Sequence, residues 1–62
     1  MNATVRSSEV TGTVHRVDVA GAASEEEAVA LAQEEIGMEV SPAWTAETDD
    51  GFELVFERGD YL

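Results

Sequence analysis

The chain has 62 residues and a formal net charge of −11, because 14 acidic residues face three arginines and there is no lysine. It has no cysteine and one histidine, which excludes disulfides and leaves too few ligands for a structural zinc site. Three arginines cannot neutralise a row of phosphates, so direct nucleic-acid binding is disfavoured.

The sequence also lacks the signals of membrane insertion or export. No apolar run approaches the roughly 20 residues of a membrane-spanning helix. The first ten residues, MNATVRSSEV, have no basic stretch followed by an apolar core, as a signal peptide would. We therefore expect a cytoplasmic protein without membrane contact.

The charge has a consequence for stability. Hydrophobic residues make up 44% of the chain, but nine of them are alanine, so the core of this small domain is thin. Self-repulsion destabilises such a chain in dilute salt, whereas in molar salt the screening length falls to about 3 Å. An acid-rich, lysine-free composition with many alanines and valines resembles that of cytoplasmic proteins from extremely halophilic archaea. This resemblance implies a high-salt habitat and names no activity.

The first predicted element lies between Thr4 and Ala20, where valines alternate as in β-strands but change parity midway. A hairpin that turns at Thr11-Gly12-Thr13 lets both strands change face at the same level. The alternative is one long strand with a bulge near His15-Arg16. We favour the hairpin, which predicts these cross-strand pairs: Val10 with Val14, Glu9 with His15, Arg6 with Asp18, and Val5 with Val19.

The central element is an amphipathic helix over Ser24–Gly37, with sequence SEEEAVALAQEEIG. Ser24 and Glu27 have the spacing of a capping box, and acidic residues in the first turn favour the positive end of the helix dipole. Gly37 supplies the left-handed residue that ends a helix. The apolar positions fall mainly on one side at about 100° per residue.

Two further strands are predicted at Ala43–Thr48 and Phe52–Glu57, and Pro42 precedes the first of them. A two-residue loop at Asp50-Gly51 would set Trp44 against Glu57. A three-residue loop with a left-handed Gly51 instead collects the large aromatic side chains on one face. We adopt the second register, which predicts these pairs: Thr48 with Phe52, Glu47 with Glu53, Ala46 with Leu54, and Trp44 with Phe56.

The order of elements predicts an α+β fold of two layers, ββαββ, in which one helix packs on one face of an antiparallel sheet. Residues 1–62 form one small domain. The predicted core contains about half of the N-terminal valines together with Val29, Leu31, Ala32, Ile36, Trp44, Phe52, Leu54 and Phe56. Four other apolar residues have no evident place in it: Val17, Val55, Tyr61 and Leu62. Together with open sheet edges, they predict a two-fold homodimer in high salt.

His15 is the only histidine, and a catalytic or metal-binding role would need Glu9 or Asp18 beside it. The simpler interpretation is a strand residue that faces an acid. The acids around Asp49-Asp50-Gly51, which include Glu47 and Glu53, offer oxygens to a hard cation, but this order is also ordinary turn chemistry.

The remaining candidates favour structural roles. Glu25–Glu27 fit a helix start better than a carboxylate site. Trp44 fits the core better than the alternatives, an interface anchor or a ligand-stacking position. Ser7, Ser8 and Ser41 have no base placed near them by any motif. We therefore predict no catalytic, cofactor-binding or metal-binding residues.

The segment from Ser24 to Ile36 resembles the helix of many small, partly ferredoxin-like domains, including antitoxins of the HicB type. The similarity covers about a quarter of the chain and lacks the proline-rich strand end before the helix, so no residue role is transferred. The sequence favours a non-enzymatic binding or accessory domain that acts through protein contacts. The alternatives are an antitoxin-like regulator with a basic partner, and a small enzyme or metal-binding module that uses His15 and nearby acids.

Overall fold

The computed structural model describes residues 3–60. It contains four strands, one α-helix and a short 3₁₀ helix: β1 (Thr4–Thr11), β2 (Val14–Ala20), α1 (Glu25–Ile36), β3 (Trp44–Thr48), β4 (Gly51–Glu57) and the 3₁₀ helix Arg58–Asp60. The strands form one antiparallel sheet in the order β1-β2-β4-β3. The helix packs on one face, mainly over β4, β1 and β2. The predicted two-layer α+β fold is thus confirmed, and the two edge strands are β1 and β3.

The first hairpin is confirmed, but its register near the turn differs from the predicted one. The turn is Gly12-Thr13, so Val10 lies opposite His15 and Glu9 opposite Arg16. A register shift around Arg6 then restores the predicted pairing of Val5 with Val19. The structure therefore has a bulge, but it lies in β1 and not near His15-Arg16.

The geometry of this turn follows from Gly12. Its φ of 61° lies in the left-handed region, and no non-glycine residue in the described chain has a positive φ. A type II′ turn has glycine with positive φ at its first central position and a residue with negative φ at its second, as Gly12 and Thr13 have here. This type of turn matches the twist of a hairpin. Arg58, which follows β4, holds this turn with two hydrogen bonds. Its amide donates to the Thr13 carbonyl at 2.7 Å, and its guanidinium donates to the Gly12 carbonyl at 3.1 Å.

The helix begins and ends as its sequence predicts. The Ser24 hydroxyl accepts from the Glu27 amide at 3.2 Å, and the Glu27 carboxylate accepts from the Ala23 amide at 2.7 Å. The first bond satisfies an amide that the first helical turn leaves unpaired, and the second ties the Glu27 side chain to the residue before the cap. Gly37 is left-handed, with φ of 89°, and its amide donates to the Gln33 carbonyl at 2.7 Å.

The predicted register of the second hairpin is wrong. The turn is Asp49-Asp50, and Thr48 pairs with Gly51. Trp44 consequently lies opposite Val55 and not opposite Phe56. The full set of observed pairs is Trp44 with Val55, Thr45 with Leu54, Ala46 with Glu53, Glu47 with Phe52, and Thr48 with Gly51. The predicted like-charge pair of Glu47 and Glu53 does not form, because the two residues lie on opposite faces of the sheet.

Gly51 explains this difference. It is not left-handed; it is the first residue of β4 and lies opposite Ala20 of β2. A Cβ atom at Gly51 would stand 1.9 Å from the Val19 carbonyl oxygen. Glycine is therefore required there by the close approach of two backbones and not by the turn.

The core lies between the helix and the face of the sheet formed by alternate residues of β2 and β4. Its fully buried members are Val17, Val19, Ala28, Ala32, Leu54 and Phe56. The predicted burial of Ala32, Leu54 and Phe56 is confirmed, and Val29, Leu31, Ile36 and Phe52 pack around them while partly exposed. Two predictions fail: Val17 is buried, although it was expected to lack a place, and Trp44 is not part of the core. Tyr61 and Leu62 lie outside the described residues.

Candidate functional site

The face of the sheet opposite the helix carries the most exposed aromatic side chain of the described chain. We call this surface, formed by Glu9, Val14, Arg16, Trp44, Ala46, Glu53 and Val55, the outer face. Trp44 is 53% exposed, and it lies opposite Val55 at the edge of the sheet. An indole this exposed is unusual in a small domain with a thin core, because aromatic side chains supply the largest apolar area available for burial.

A cross-strand row connects Trp44 to the middle of the outer face. Val55 is paired with Arg16 as well as with Trp44, and Arg16 is paired in turn with Glu9. The Arg16 Nε lies 2.9 Å from a Glu53 carboxylate oxygen. A hollow of about 250 Å³ is lined by Glu9, Thr11, Val14 and Arg16. The outer face thus combines one exposed aromatic residue with a central ion pair and a shallow depression.

The charges are divided unequally between the two layers. Arg16 and Arg6 lie on the sheet, where Arg6 forms an ion pair with Asp50 and lies 4.0 Å from Asp18. The helix layer holds six glutamates in and just beyond α1: Glu25, Glu26, Glu27, Glu34, Glu35 and Glu39. No basic residue lies in the last turn of α1. The sheet layer is therefore the less negative side of the molecule.

The structure does not bring His15 together with the predicted acidic partners. Glu9 pairs with Arg16 and lies on the outer face, whereas His15 pairs with Val10 and alternates to the helix side. Asp18 lies near Arg6. The convergence that a general base or metal ligand at His15 would require from Glu9 and Asp18 is absent from this arrangement.

His15 instead contacts a serine that the sequence analysis left without a base. The Ser8 Oγ and His15 Nε2 atoms are 2.6 Å apart, because both residues lie on the same side of the first hairpin. No sequence motif places a base near Ser8, but the fold does. The predicted register paired His15 with Glu9 and put Ser8 on the other face of the hairpin. The observed register is shifted by one residue and puts Ser8 on the same face as His15. A serine–histidine contact by itself lacks the oxyanion donors and substrate cavity of a nucleophilic site.

The acidic hairpin turn is occupied by structural contacts. Asp50 forms the ion pair with Arg6, and Glu53 forms the one with Arg16. Asp49 and Asp50 make the turn itself. Within residues 3–60, no group of three or more His, Cys, Asp or Glu side chains is arranged to hold a metal ion.

The other sequence candidates have structural positions. Glu27 completes the cap of α1, and Ser41 is exposed in the connection before β3. A second, more open hollow of about 330 Å³ lies at the end of α1, beside Met38, which is 49% exposed. Its other lining residues include Glu34 and Glu39, so it is a solvent-facing acidic depression with one apolar side chain.

Comparison with known proteins adds no assignment. No family model matches the chain, and no curated protein or solved structure shows significant similarity to it. In the described part of the chain, no helix is both long enough and apolar enough to cross a membrane.

Proposed function

We propose that this chain is a small non-enzymatic binding domain, which acts through protein–protein contacts made by the outer face and the β3 edge. The observation that carries this proposal is the position of Trp44. It is 53% exposed on an open edge strand, while Leu54 and Phe56 on the adjacent strand are fully buried. Tryptophan is enriched at the centres of protein interfaces, where its burial contributes much of the binding energy.

The charge distribution supports this choice of surface. A partner that approaches the outer face meets Arg16 together with acids, whereas a partner on the helix side meets only acids among the charged residues of α1. In a high-salt cytoplasm, which the composition favours, repulsion from the rest of the molecule is screened within a few Å. Burial of the apolar surface of Trp44 then becomes the main favourable contribution to the free energy of association.

A photo-crosslinking experiment tests the proposal. A benzophenone amino acid is placed at Val55, beside Trp44, or at Ala30, which is exposed on α1. We expect protein adducts in cells from the Val55 position and few from Ala30. The same Val55 probe in a Trp44→Ser chain should lose the adducts, because the exposed indole is the proposed anchor. Adducts that are equal at both positions, or that survive Trp44→Ser, would overturn the proposal.

A further inference from the structure

We propose that the partner of the β3 edge is a second copy of this chain, paired antiparallel through β3 about a two-fold axis at Ala46. This inference rests on the proposed function and names its partner. It would join two four-stranded sheets into one sheet of eight strands, with both helices on the same side. Three features of the structure support this pairing: the backbone pattern of β3, the placement of its one charged residue, and the distance between the two acidic helices.

Within residues 3–60, β3 pairs only with β4, so its backbone leaves hydrogen-bonding groups without a strand partner at a defined pair of positions. In a hairpin closed by a two-residue turn, the residues that flank the turn exchange both backbone hydrogen bonds, and such pairs alternate along the ladder. Thr48, Ala46 and Trp44 therefore bond to β4, whereas the amides and carbonyls of Thr45 and Glu47 point to the open edge. An antiparallel copy centred on Ala46 sets Thr45 of one chain opposite Glu47 of the other. That register forms about four backbone hydrogen bonds.

Side chains favour the same register. Glu47 is the only charged residue of β3, and an axis at Ala46 places it opposite threonine. An axis at Glu47 would set the two carboxylates directly opposite each other, which is destabilising. The axial residue, Ala46, is small enough for the close Cα approach of about 4.5 Å that a non-hydrogen-bonded pair requires. Trp44 then lies opposite Thr48 of the second copy, on the outer face.

Electrostatics select β3 over the other edge, β1. The helix lies over β1, β2 and β4, so pairing through β1 would bring the two helix layers to about 14 Å, three strand spacings between the two copies of β2. Pairing through β3 separates them by five spacings, or about 24 Å. A helix with its side chains is about 10–12 Å across, so a β1 pair leaves only a few Å between the two acidic helix surfaces, whereas a β3 pair leaves more than the screening length of about 8 Å at 0.15 M salt. The bulge at Arg6 also distorts the β1 edge, as bulges do where pairing is prevented.

The size of the contact sets the expected affinity. β3 has five residues, fewer than the 20–30 residues per partner of a standard stable interface. We therefore expect a weak dimer that dissociates on dilution. It should be measured by light scattering at protein concentrations up to about 1 mM, in roughly 2 M KCl, where the screening length is only a few Å.

Two proline variants identify the edge. Thr45→Pro removes an amide that points to the open side of β3, a position at which edge strands tolerate proline. Val10→Pro is the matched control, because by the same alternation the Val10 amide points to the open side of β1. We expect the wild type and Val10→Pro to approach the mass of two chains, and Thr45→Pro to stay near one. A wild type that stays at one chain, or a dimer lost only in Val10→Pro, would overturn the inference.

A charge variant tests the register and does not depend on proline. Thr45→Lys places a cation opposite Glu47 of the other copy, twice in the symmetric dimer, and should lower its dissociation constant about two- to thirtyfold. Ala30→Lys makes the same charge change on the exposed side of α1 and is the control. If Thr45→Lys dimerises no better than Ala30→Lys, the pairing about Ala46 is wrong. A monomeric wild type that still gives Trp44-dependent adducts with another protein refutes the second copy and leaves the proposed function standing.

Discussion

At the scale of single residues, Gly51 determines which side of the sheet Trp44 occupies. A residue with a side chain could not stand this close to the Val19 carbonyl, so glycine lies opposite Ala20 and outside the turn. The turn is then Asp49-Asp50, and the alternation of β3 turns Trp44 away from the helix. One close backbone contact thereby converts an expected core residue into the exposed anchor of the proposed interface.

This dependence gives a direct prediction for Gly51→Ala. The added methyl group meets backbone atoms of β2, which cannot rotate away as a side chain would, so the strands must separate. We expect a loss of about 1–3 kcal/mol in the free energy of unfolding, typical of overpacking, measured by denaturant titration in high salt. Gly59→Ala is the control, because nothing lies within 4 Å of a Cβ built there. Equal stability of the two variants would contradict the proposed role of Gly51.

The error in the predicted register has the same origin. A glycine after two aspartates is a common turn residue, and local chemistry offered no reason to place it in a strand. Glycine is needed at position 51 because β2, which belongs to the other hairpin, approaches its backbone closely. A contact between distant parts of the chain cannot be read from the local sequence around the turn. The Ser8–His15 contact was missed for a similar cause, because it appears only when the first turn is Gly12-Thr13.

At the scale of elements, the features that the sequence predicted well are those with local causes. The cap at Ser24 and Glu27 and the left-handed end at Gly37 each depend on residues within a few positions. The existence of all four strands likewise follows from short alternating segments. Pairing between strands depends on distant contacts, since a one-residue slip moves every side chain to the other face.

The two faces of β4 provide a prediction about that pairing. Leu54 and Phe56 are fully buried under α1, whereas Val55 lies on the outer face opposite Trp44. Leu54→Ala and Phe56→Ala should each cost about 2–5 kcal/mol of unfolding free energy, and Val55→Thr less than about 1 kcal/mol. Chemical denaturation in high salt measures all three. Greater sensitivity at Val55 would mean that β4 presents the opposite face to the helix.

At the scale of the whole molecule, the balance between a thin core and a net charge of −11 decides stability. Only six hydrophobic residues of the described chain are fully buried, and two of them are alanines. All the described ion pairs involve Arg6 or Arg16, so they offset charge in the sheet layer and leave the glutamates of the helix layer to repel one another. Screening by salt acts mainly on that layer.

We expect the thermal midpoint to rise by about 10 °C or more between dilute buffer and 2 M KCl, since a gain of 1 kcal/mol shifts the midpoint of so small a domain by about 4–8 °C. Potassium chloride also changes apolar hydration, so a charge variant must separate the two effects. Replacing Glu34 and Glu35, both exposed on α1, by glutamine removes two of the negative charges that make up the net charge of −11. This variant should melt at a higher temperature than the wild type in dilute buffer, and the difference should shrink as salt is added, because screening removes the repulsion that the substitutions relieve.

Circular dichroism melts across the salt series measure how the midpoints of the wild type and of the variant change with salt. A wild-type midpoint that is flat within a few degrees would remove the case for a high-salt habitat, and parallel slopes would assign the salt effect to hydration instead of charge.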